Sequence, residues 1–211
     1  MKRRFDWLLS GQPYGPDPVC DIDLCRDSNL GVVPTLGALV PGWVLVIPRF
    51  PALSVDSLPP PIRQSVLGAV AALTPRLRTL GPHVYIFEHG PRDLGTQLGC
   101  GVDQAHVHVV PGAFDLFTCL SDPEVSWTAV SSVDPWATSD PERDYYLLGR
   151  AGEFYLGTPR RRVPQYFRRK IAVELGRSYA WDYREWPCYD NARRTLKHFG
   201  RAGEGGGRSA A

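Results

Sequence analysis

The segment 104–110, Gln-Ala-His-Val-His-Val-Val, constrains the fold most, because polar and apolar side chains alternate along it. Successive residues of a β-strand point to opposite faces, so the pattern predicts a strand with Gln104, His106 and His108 on one face. The valines between them take the face that a core buries. Two of the five histidines of the chain stand here. A row of imidazoles suits metal binding or nucleophilic and acid–base chemistry on an anion, and the alternative is an exposed polar strand face.

A second constraint is the apolar run 43–47, which stands between Pro41-Gly42 and Pro48. A continuous β-branched run bounded by proline and glycine predicts a strand that is buried on both faces. A helix is expected to begin at the three prolines 59–61, because proline suits the first helical turn, and Pro75 is expected to kink or split it. Its apolar stripe comprises Ile62, Val66, Ala69, Val70 and Leu73. Shorter strands are expected at 21–25, 30–33 and 84–87.

The C-terminal half has weaker patterns. Residues 121–142 are rich in Ser, Asp, Pro and Trp, which predicts a long surface loop. A hairpin is expected between 145–148 and 153–156. Two helices are expected, one over 164–175 that ends at Gly176 and one over 190–199. The Gly-rich tail 200–211 is expected to be disordered.

Composition places the chain among ordinary globular proteins. It has 211 residues, 43% of them hydrophobic, and a formal net charge of +2. That charge is too small to indicate nucleic acid as a partner. No apolar run is long enough to span a bilayer, so a membrane partner is not expected. The basic N-terminus is not followed by a secretory apolar segment, and the predicted location is the cytoplasm.

The five cysteines do not form a regular pattern. An odd number without regular spacing argues against a disulfide framework. Cys20 and Cys25 are separated by four residues, a spacing within the range of a zinc half-site, but no second Cys or His pair follows at a matching distance. We therefore expect ordinary thiols, with no metal and no other cofactor, and a zinc site at this pair is the alternative.

Taken in order, these segments resemble the histidine-triad (HIT) family of nucleotide hydrolases and transferases. Residues 41–49, Pro-Gly-Trp-Val-Leu-Val-Ile-Pro-Arg, are similar to the family's Pro-Gly-His-x-Leu-x-Ile-Pro-Lys strand. A helix follows, and 104–110 is similar to the signature His-φ-His-φ-His-φ-φ, where φ is apolar. The patterns at 165–169 and 181–187 resemble an extension found in a bacterial branch of the family. The resemblance implies an α+β fold, a HIT-like antiparallel sheet with a packed helix, plus a C-terminal helical extension. It divides the chain into an N-terminal leader (1–19), a HIT-like core (20–115), a C-terminal extension packed on the core (116–199) and the disordered tail (200–211).

The resemblance also implies a chemistry: a metal-independent, two-step displacement at the α-phosphate of a nucleotide or nucleotide conjugate. His106 would be the nucleophile that forms a nucleotidyl–imidazole intermediate, with Nδ1–H held by a backbone carbonyl, that of Gln104. His108 would bond the phosphate or the leaving-group oxygen. Gly99 and Gly101 would let backbone N–H groups approach the phosphate. The resemblance is also compatible with a homodimer.

The sequence departs from the family at three positions that would contact substrate. The first triad histidine is Gln104, which cannot act as an acid or a base. A further family histidine falls at about Pro51, and Thr35 stands roughly where many members have an aspartate on the ribose hydroxyls. The alternative function is therefore a non-catalytic nucleotide-binding protein with a degenerate triad.

Other residues could compensate for these losses. His89 ends the strand expected beside the histidine strand, and its alternative is a solvated loop histidine. Gln165 and Arg168 belong to the predicted helix 164–175, where arginines are commonly solvated surface charges. The family branch that this extension resembles repeats Gln-x-x-Arg-Arg here, and the core has lost phosphate contacts. We therefore predict that the helix folds back over the pocket and that Gln165 or Arg168 supplies part of the phosphate binding. Asp103 is expected to fix the turn before the motif.

Overall fold

The computed structural model describes residues 4–25, 27–96, 98 and 102–200, and in this part of the chain it has seven strands and four α-helices. The helices are α1 (Asp6–Leu9), α2 (Pro60–Leu77), α3 (Tyr166–Glu174) and α4 (Tyr189–His198). The strands are β1 (Leu30–Pro34), β2 (Val44–Pro48), β3 (His83–Gly90), β4 (Val107–Gly112), β5 (Val125–Val130), β6 (Tyr145–Arg150) and β7 (Glu153–Pro159). Two 3-10 helices lie at Val55–Ser57 and Leu116–Ser121.

The strands form one sheet in the order β1-β2-β4-β3-β6-β7-β5, and every neighbouring pair is antiparallel. The histidine strand β4 therefore lies between β2 and β3. Its register puts His108 opposite Leu45 on one side and Phe87 on the other. Backbone hydrogen bonds on both sides fix the height and direction of that side chain.

Each face of the sheet carries its own apolar core. One core packs α2 against the valines of the central strands, including Val66 and Val70 of the helix and Val107 and Val109 of β4. The opposite core packs α3 through Phe167 against aromatic side chains of the strands. His108 alternates with the two valines of β4, so it lies on the α3 face, as the sequence pattern predicts.

The helix after Pro59 and the apolar strand are confirmed. All five residues of β2 are buried, as expected for a strand with a core on each face. Pro75 lies inside α2 without ending it. This proline is two residues from the helix end, so its missing N–H removes a single bond close to the terminus.

Two loop and strand predictions are wrong. The segment 21–25 makes only an isolated bridge between Tyr14 and Ile22, because Asp23 Oδ1 accepts backbone N–H bonds from Cys25 and Val32 that a strand partner would otherwise take. The expected surface loop 121–142 contains β5, which adds to the edge of the sheet.

The C-terminal extension (116–199) contributes strands to the sheet as well as helices. β5, β6 and β7 continue the same sheet across the boundary between 115 and 116, and α3 and α4 follow. The expected hairpin at 145–156 and both expected helices are present. The predicted tail beyond Gly200 lies outside the described residues. Within the described ranges, no helix combines the length and apolar character that crossing a bilayer requires.

Candidate active site

A narrow pocket opens on the α3 face of the sheet, at the point where the chain enters β4. Its empty space, including the open mouth, is about 480 Å³. The sequence-predicted residues that line it are Thr35, His89, His106, His108, Gln165 and Arg168. Residues from the central strands, the β1–β2 connection and α3 are thus brought to one cleft.

His106 stands immediately before β4 and presents a free ring nitrogen to the pocket. Its Nδ1 lies 2.7 Å from the carbonyl oxygen of Gln104. A carbonyl can only accept, so Nδ1 carries the proton and Nε2 keeps its lone pair. Burial lowers the pKa of His106, which keeps the ring neutral. This is the bond that the resemblance implies, and it leaves the Nε2 lone pair of a residue that lines the cleft.

His108 holds the opposite tautomer. The indole N–H of Trp43 donates to its Nδ1 across 2.9 Å, so the ring proton is on Nε2. Phe87 stacks on the imidazole with ring centroids 4.5 Å apart. Burial, together with His106, His89 and other positive charge nearby, holds the pKa of His108 well below its usual range. Next to the lone pair of His106 the site therefore has an N–H donor.

His89 lies near the end of β3 and is buried beside the other two imidazoles. Its ring centroid is 6.2 Å from that of His108. Burial lowers its pKa to about 3, so the ring is neutral at physiological pH. Its Nε2 is buried without a hydrogen-bond partner among the described residues. An unsatisfied buried nitrogen is uncommon, and here it lies in a cleft that could take a ligand.

Arg168 comes from α3 and is almost entirely buried. Its guanidinium donates to the carbonyl oxygens of Gly37 and Leu36 and lies 4.4 Å from the ring of Trp43. Gly37 has φ of +71°, and a Cβ there would come within 2.5 Å of Tyr183, so the close approach requires glycine. The helix folds back over the pocket, as predicted.

Gln165 immediately precedes α3 and is also buried. Its φ of 55° is left-handed, an uncommon conformation for a residue other than glycine. The side chain donates to Asp182 across 3.2 Å, which ties the start of α3 to the aromatic segment that follows it. The conformation brings this amide into the lining of the cleft.

The remaining predicted residues lie apart from the cleft or outside the described chain. The side chain of Gln104 turns away from the lining and donates to the carbonyls of Pro48 and Phe50, so it holds β2 to the start of β4. The predicted turn contact of Asp103 is present, since it accepts from Gly95 N. Pro51 is exposed and outside the lining. Gly99 and Gly101 lie outside the described residues.

The sequence interpretation misses other lining residues, among them Arg4, Phe5 and Tyr183. Arg4 and Phe5 come from the segment before α1, and Tyr183 follows α3. Arg4 is held by Asp21 at 3.2 Å, and its Nε is buried without a hydrogen-bond partner in the described chain. Arg4 and Arg168 are the charged side chains of the described lining, which includes no carboxylate, and Asp21 pairs with Arg4 from outside the cleft. No pattern in a short basic leader indicates such a contact.

The imidazole cluster predicts a loss of stability in mild acid. Folding lowers the pKa of His89, His106 and His108, so their contribution is full above about pH 6.5 and is lost below it. The contribution of each ring falls by about 1.4 kcal/mol per pH unit below about pH 6.5, until the pH reaches the pKa of that ring in the folded protein. Burial raises the pKa of Glu88 to about 7. Protonation of this carboxyl therefore stabilises the folded protein as the pH falls, and it offsets roughly the loss from one of the three histidines.

We therefore expect the free energy of unfolding to be lower at pH 5.5 than at pH 7.5 in chemical denaturation. A His89→Gln variant should narrow this difference by about 1.4 kcal/mol. A His83→Gln variant, altered at the far end of β3, serves as the control. An unchanged pH dependence in the His89 variant would contradict the neutral, buried state assigned to that ring.

Comparison with known proteins gives matches at the level of structure. The sequence matches no protein-family model and no curated protein. A Hit-like protein involved in cell-cycle regulation from Bartonella henselae, with an unknown ligand, is 16% identical with a TM-score of 0.40, over 52% of this chain and 75% of that one. A DUF4931 family protein from Bacillus cereus is 11% identical with a TM-score of 0.44, over 75% and 99%.

At these identities the similarity concerns the fold alone. In this chain the histidine strand is at the centre of an antiparallel sheet, and the helix that follows β2 packs on one face. This is the arrangement that the sequence motifs imply, and the fold is HIT-like.

Proposed function

We propose that the protein is a nucleotide hydrolase or nucleotidyltransferase that works through a covalent nucleotidyl–His106 intermediate. The observation that carries the proposal is the 2.7 Å contact between His106 Nδ1 and the Gln104 carbonyl. It fixes the proton on Nδ1 and leaves the Nε2 lone pair on a residue that lines a cleft with two arginines. A neutral imidazole nitrogen so oriented is an activated nucleophile.

The reaction has two displacements at phosphorus. His106 Nε2 attacks the α-phosphate, so the N–P bond forms as the bond to the leaving oxygen breaks. The resulting positive ring is stabilised by its Nδ1–H bond to Gln104. Water or another acceptor then attacks phosphorus, the bonding pair returns to Nε2 and the acceptor's proton passes to solvent. The N–H of His108 donates to the negative oxygens as they develop charge.

The cationic side chains of the cleft fit a phosphate-bearing substrate. Arg168 is rigid because two carbonyls and the Trp43 ring fix its guanidinium, and a planar guanidinium suits phosphate oxygens. Arg4, from the N-terminal segment, brings a second guanidinium to the same cleft, and Asp21 holds it there through an ion pair. No step in this scheme needs a metal ion.

The test is incubation of the full chain with nucleoside triphosphates, dinucleoside polyphosphates and nucleotide sugars in EDTA, followed by intact mass measurement. A mass increase of one nucleotidyl group, lost on longer incubation, is the expected result. The engagement of the Gln104 side chain outside the cleft favours the second candidate, a non-catalytic nucleotide-binding protein. Binding in calorimetry without adduct or turnover for every compound would replace the enzyme proposal with that candidate.

His108 should matter less than His106. A His108→Ala variant loses a single charge-stabilising donor, and we expect turnover to fall on the order of a hundredfold. The nucleotidyl adduct should still form, more slowly, in rapid-quench mass measurements. Complete loss of the adduct from a folded His108 variant would contradict this division of roles.

A further inference from the structure

The bond between Trp43 and His108 limits what His108 can do. Both side chains are buried, and the indole N–H points at His108 Nδ1 across 2.9 Å. An indole nitrogen donates and never accepts, so Nδ1 of this ring cannot carry a proton while the bond exists. An imidazole in place of Trp43, as in the motif that 41–49 resembles, could serve as donor or acceptor.

The surroundings of His108 reinforce this state. The charged and titratable groups facing the ring are His106, His89 and Arg168. The guanidinium of Arg168 disfavours a positive charge on His108, and so would a proton added to either neighbouring imidazole. Phe87 covers one face of the ring. If His108 lost its Nε2 proton, the ring would become an imidazolate anion, which does not form at neutral pH. His108 therefore donates a hydrogen bond and keeps its proton.

Neither of the other two imidazoles, His106 and His89, carries the second ring proton that a general acid would transfer. The proton of His106 is on Nδ1 and bonded to the Gln104 carbonyl. His89 is neutral, and its buried Nε2 has no partner among the described residues. A leaving group in this cleft has N–H donors around it but no imidazolium that could protonate it.

Building on the proposed function, we infer that the enzyme takes nucleotides whose leaving group departs as a stable anion. These are phosphoanhydrides and mixed acid anhydrides, and phosphoramidates and alkyl esters are excluded. When His106 Nε2 bonds to phosphorus, the leaving oxygen keeps the electron pair of the broken P–O bond and departs as phosphate, pyrophosphate or carboxylate, stabilised by His108 N–H. An amine cannot leave in this way, because its nitrogen must first accept a proton.

The test uses the wild-type chain and a series of aryl esters of a nucleoside 5′-monophosphate with phenols of graded acidity. We expect kcat/KM to fall about tenfold for each unit of leaving-group pKa, as a loose transition state without proton transfer requires. A nucleoside triphosphate should react, and the alkyl phosphoramidate of the same nucleoside should not. A flat series, or a phosphoramidate that reacts as fast as the triphosphate, would overturn the inference while leaving the covalent mechanism intact. Failure of every compound to form an adduct would instead count against the proposed function.

A Trp43→Phe variant tests the cause. It removes the N–H donor and keeps an aromatic ring, so the His108 pKa should rise in an imidazole NMR titration. The phosphoramidate rate should rise at least tenfold relative to the triphosphate rate. If the His108 pKa and the relative phosphoramidate rate both stay unchanged in a folded variant, Trp43 does not determine which leaving groups the enzyme accepts. The wild-type series decides the inference if the variant does not fold. The inference would also be overturned if the wild type turned over the phosphoramidate and Tyr183→Phe abolished that turnover. The Tyr183 phenol would then be the group that protonates the leaving nitrogen.

Discussion

Replacing His106 with Asn should abolish adduct formation and lower turnover by several orders of magnitude, because a covalent path loses its nucleophile. The change is expected to leave the fold intact, since His106 is half-buried and lies just before β4. Nucleotide affinity should change little, because the cationic groups of the cleft are retained. Turnover and binding are to be measured on the same preparation with the nucleotide that gives the strongest adduct in the wild type.

The matched control is His83→Asn, which removes a histidine from the other end of the neighbouring strand β3. This variant should keep wild-type turnover. Near-wild-type turnover in the His106 variant would show that the triad mechanism is wrong for this protein.

Arg168→Lys should weaken nucleotide binding about tenfold, although the charge is kept, and Arg168→Ala about a hundredfold. Both terminal nitrogens of Arg168 donate to backbone carbonyls. Lysine has a single nitrogen and cannot keep both of these bonds while it contacts a phosphate oxygen, and it loses the stacking on Trp43. Calorimetric titration measures both effects. A Gln165→Ala, Arg168→Ala double variant should bind less tightly than either single variant.

Arg169 offers a control on the same helix. Its guanidinium stacks on Trp181 with Cζ 3.2 Å from the ring centroid, and it does not belong to the described lining of the cleft. Arg169→Lys should therefore leave nucleotide affinity unchanged. Since Arg168 also holds the carbonyls of Gly37 and Leu36, the unfolding of each variant is to be measured as well. Wild-type affinity in folded Arg168 variants would reject the phosphate clamp.

The central strands could be predicted because their signals are local. The alternation in 104–110 and the apolar run 43–47 each determine which side chains face a core. β4 and β2 follow these patterns closely. The sequence does not predict the strand β5, because the residues on either side of it are rich in turn formers. Pairing with β7 stabilises this segment as a strand, although its own sequence does not predict one.

The site could be predicted in part for the same reason. Placing His106 and His108 on one face requires only strand geometry. His89 follows from its place at the end of the adjacent expected strand, and Arg168 follows from the resemblance and from its charge. The role of Trp43 depends on a contact between residues 65 positions apart, which no local pattern encodes. Gln104 was grouped with the histidines, yet its amide turns to two backbone carbonyls outside the cleft. Side-chain hydrogen bonding overrides the alternation at the end of a strand, where no neighbouring strand holds the residue.

The identity of the modified residue tests the covalent mechanism most directly. The wild-type protein is to be quenched during turnover with a nucleotide labelled at the α-phosphate, digested, and the labelled peptide sequenced by mass spectrometry. The mechanism predicts one nucleotidyl group on His106, through Nε2 and labile in acid as a phosphoramidate bond is. A stable label on another residue, or turnover in which no labelled peptide accumulates in rapid-quench samples of the wild type or of the slower His108→Ala variant, would contradict it.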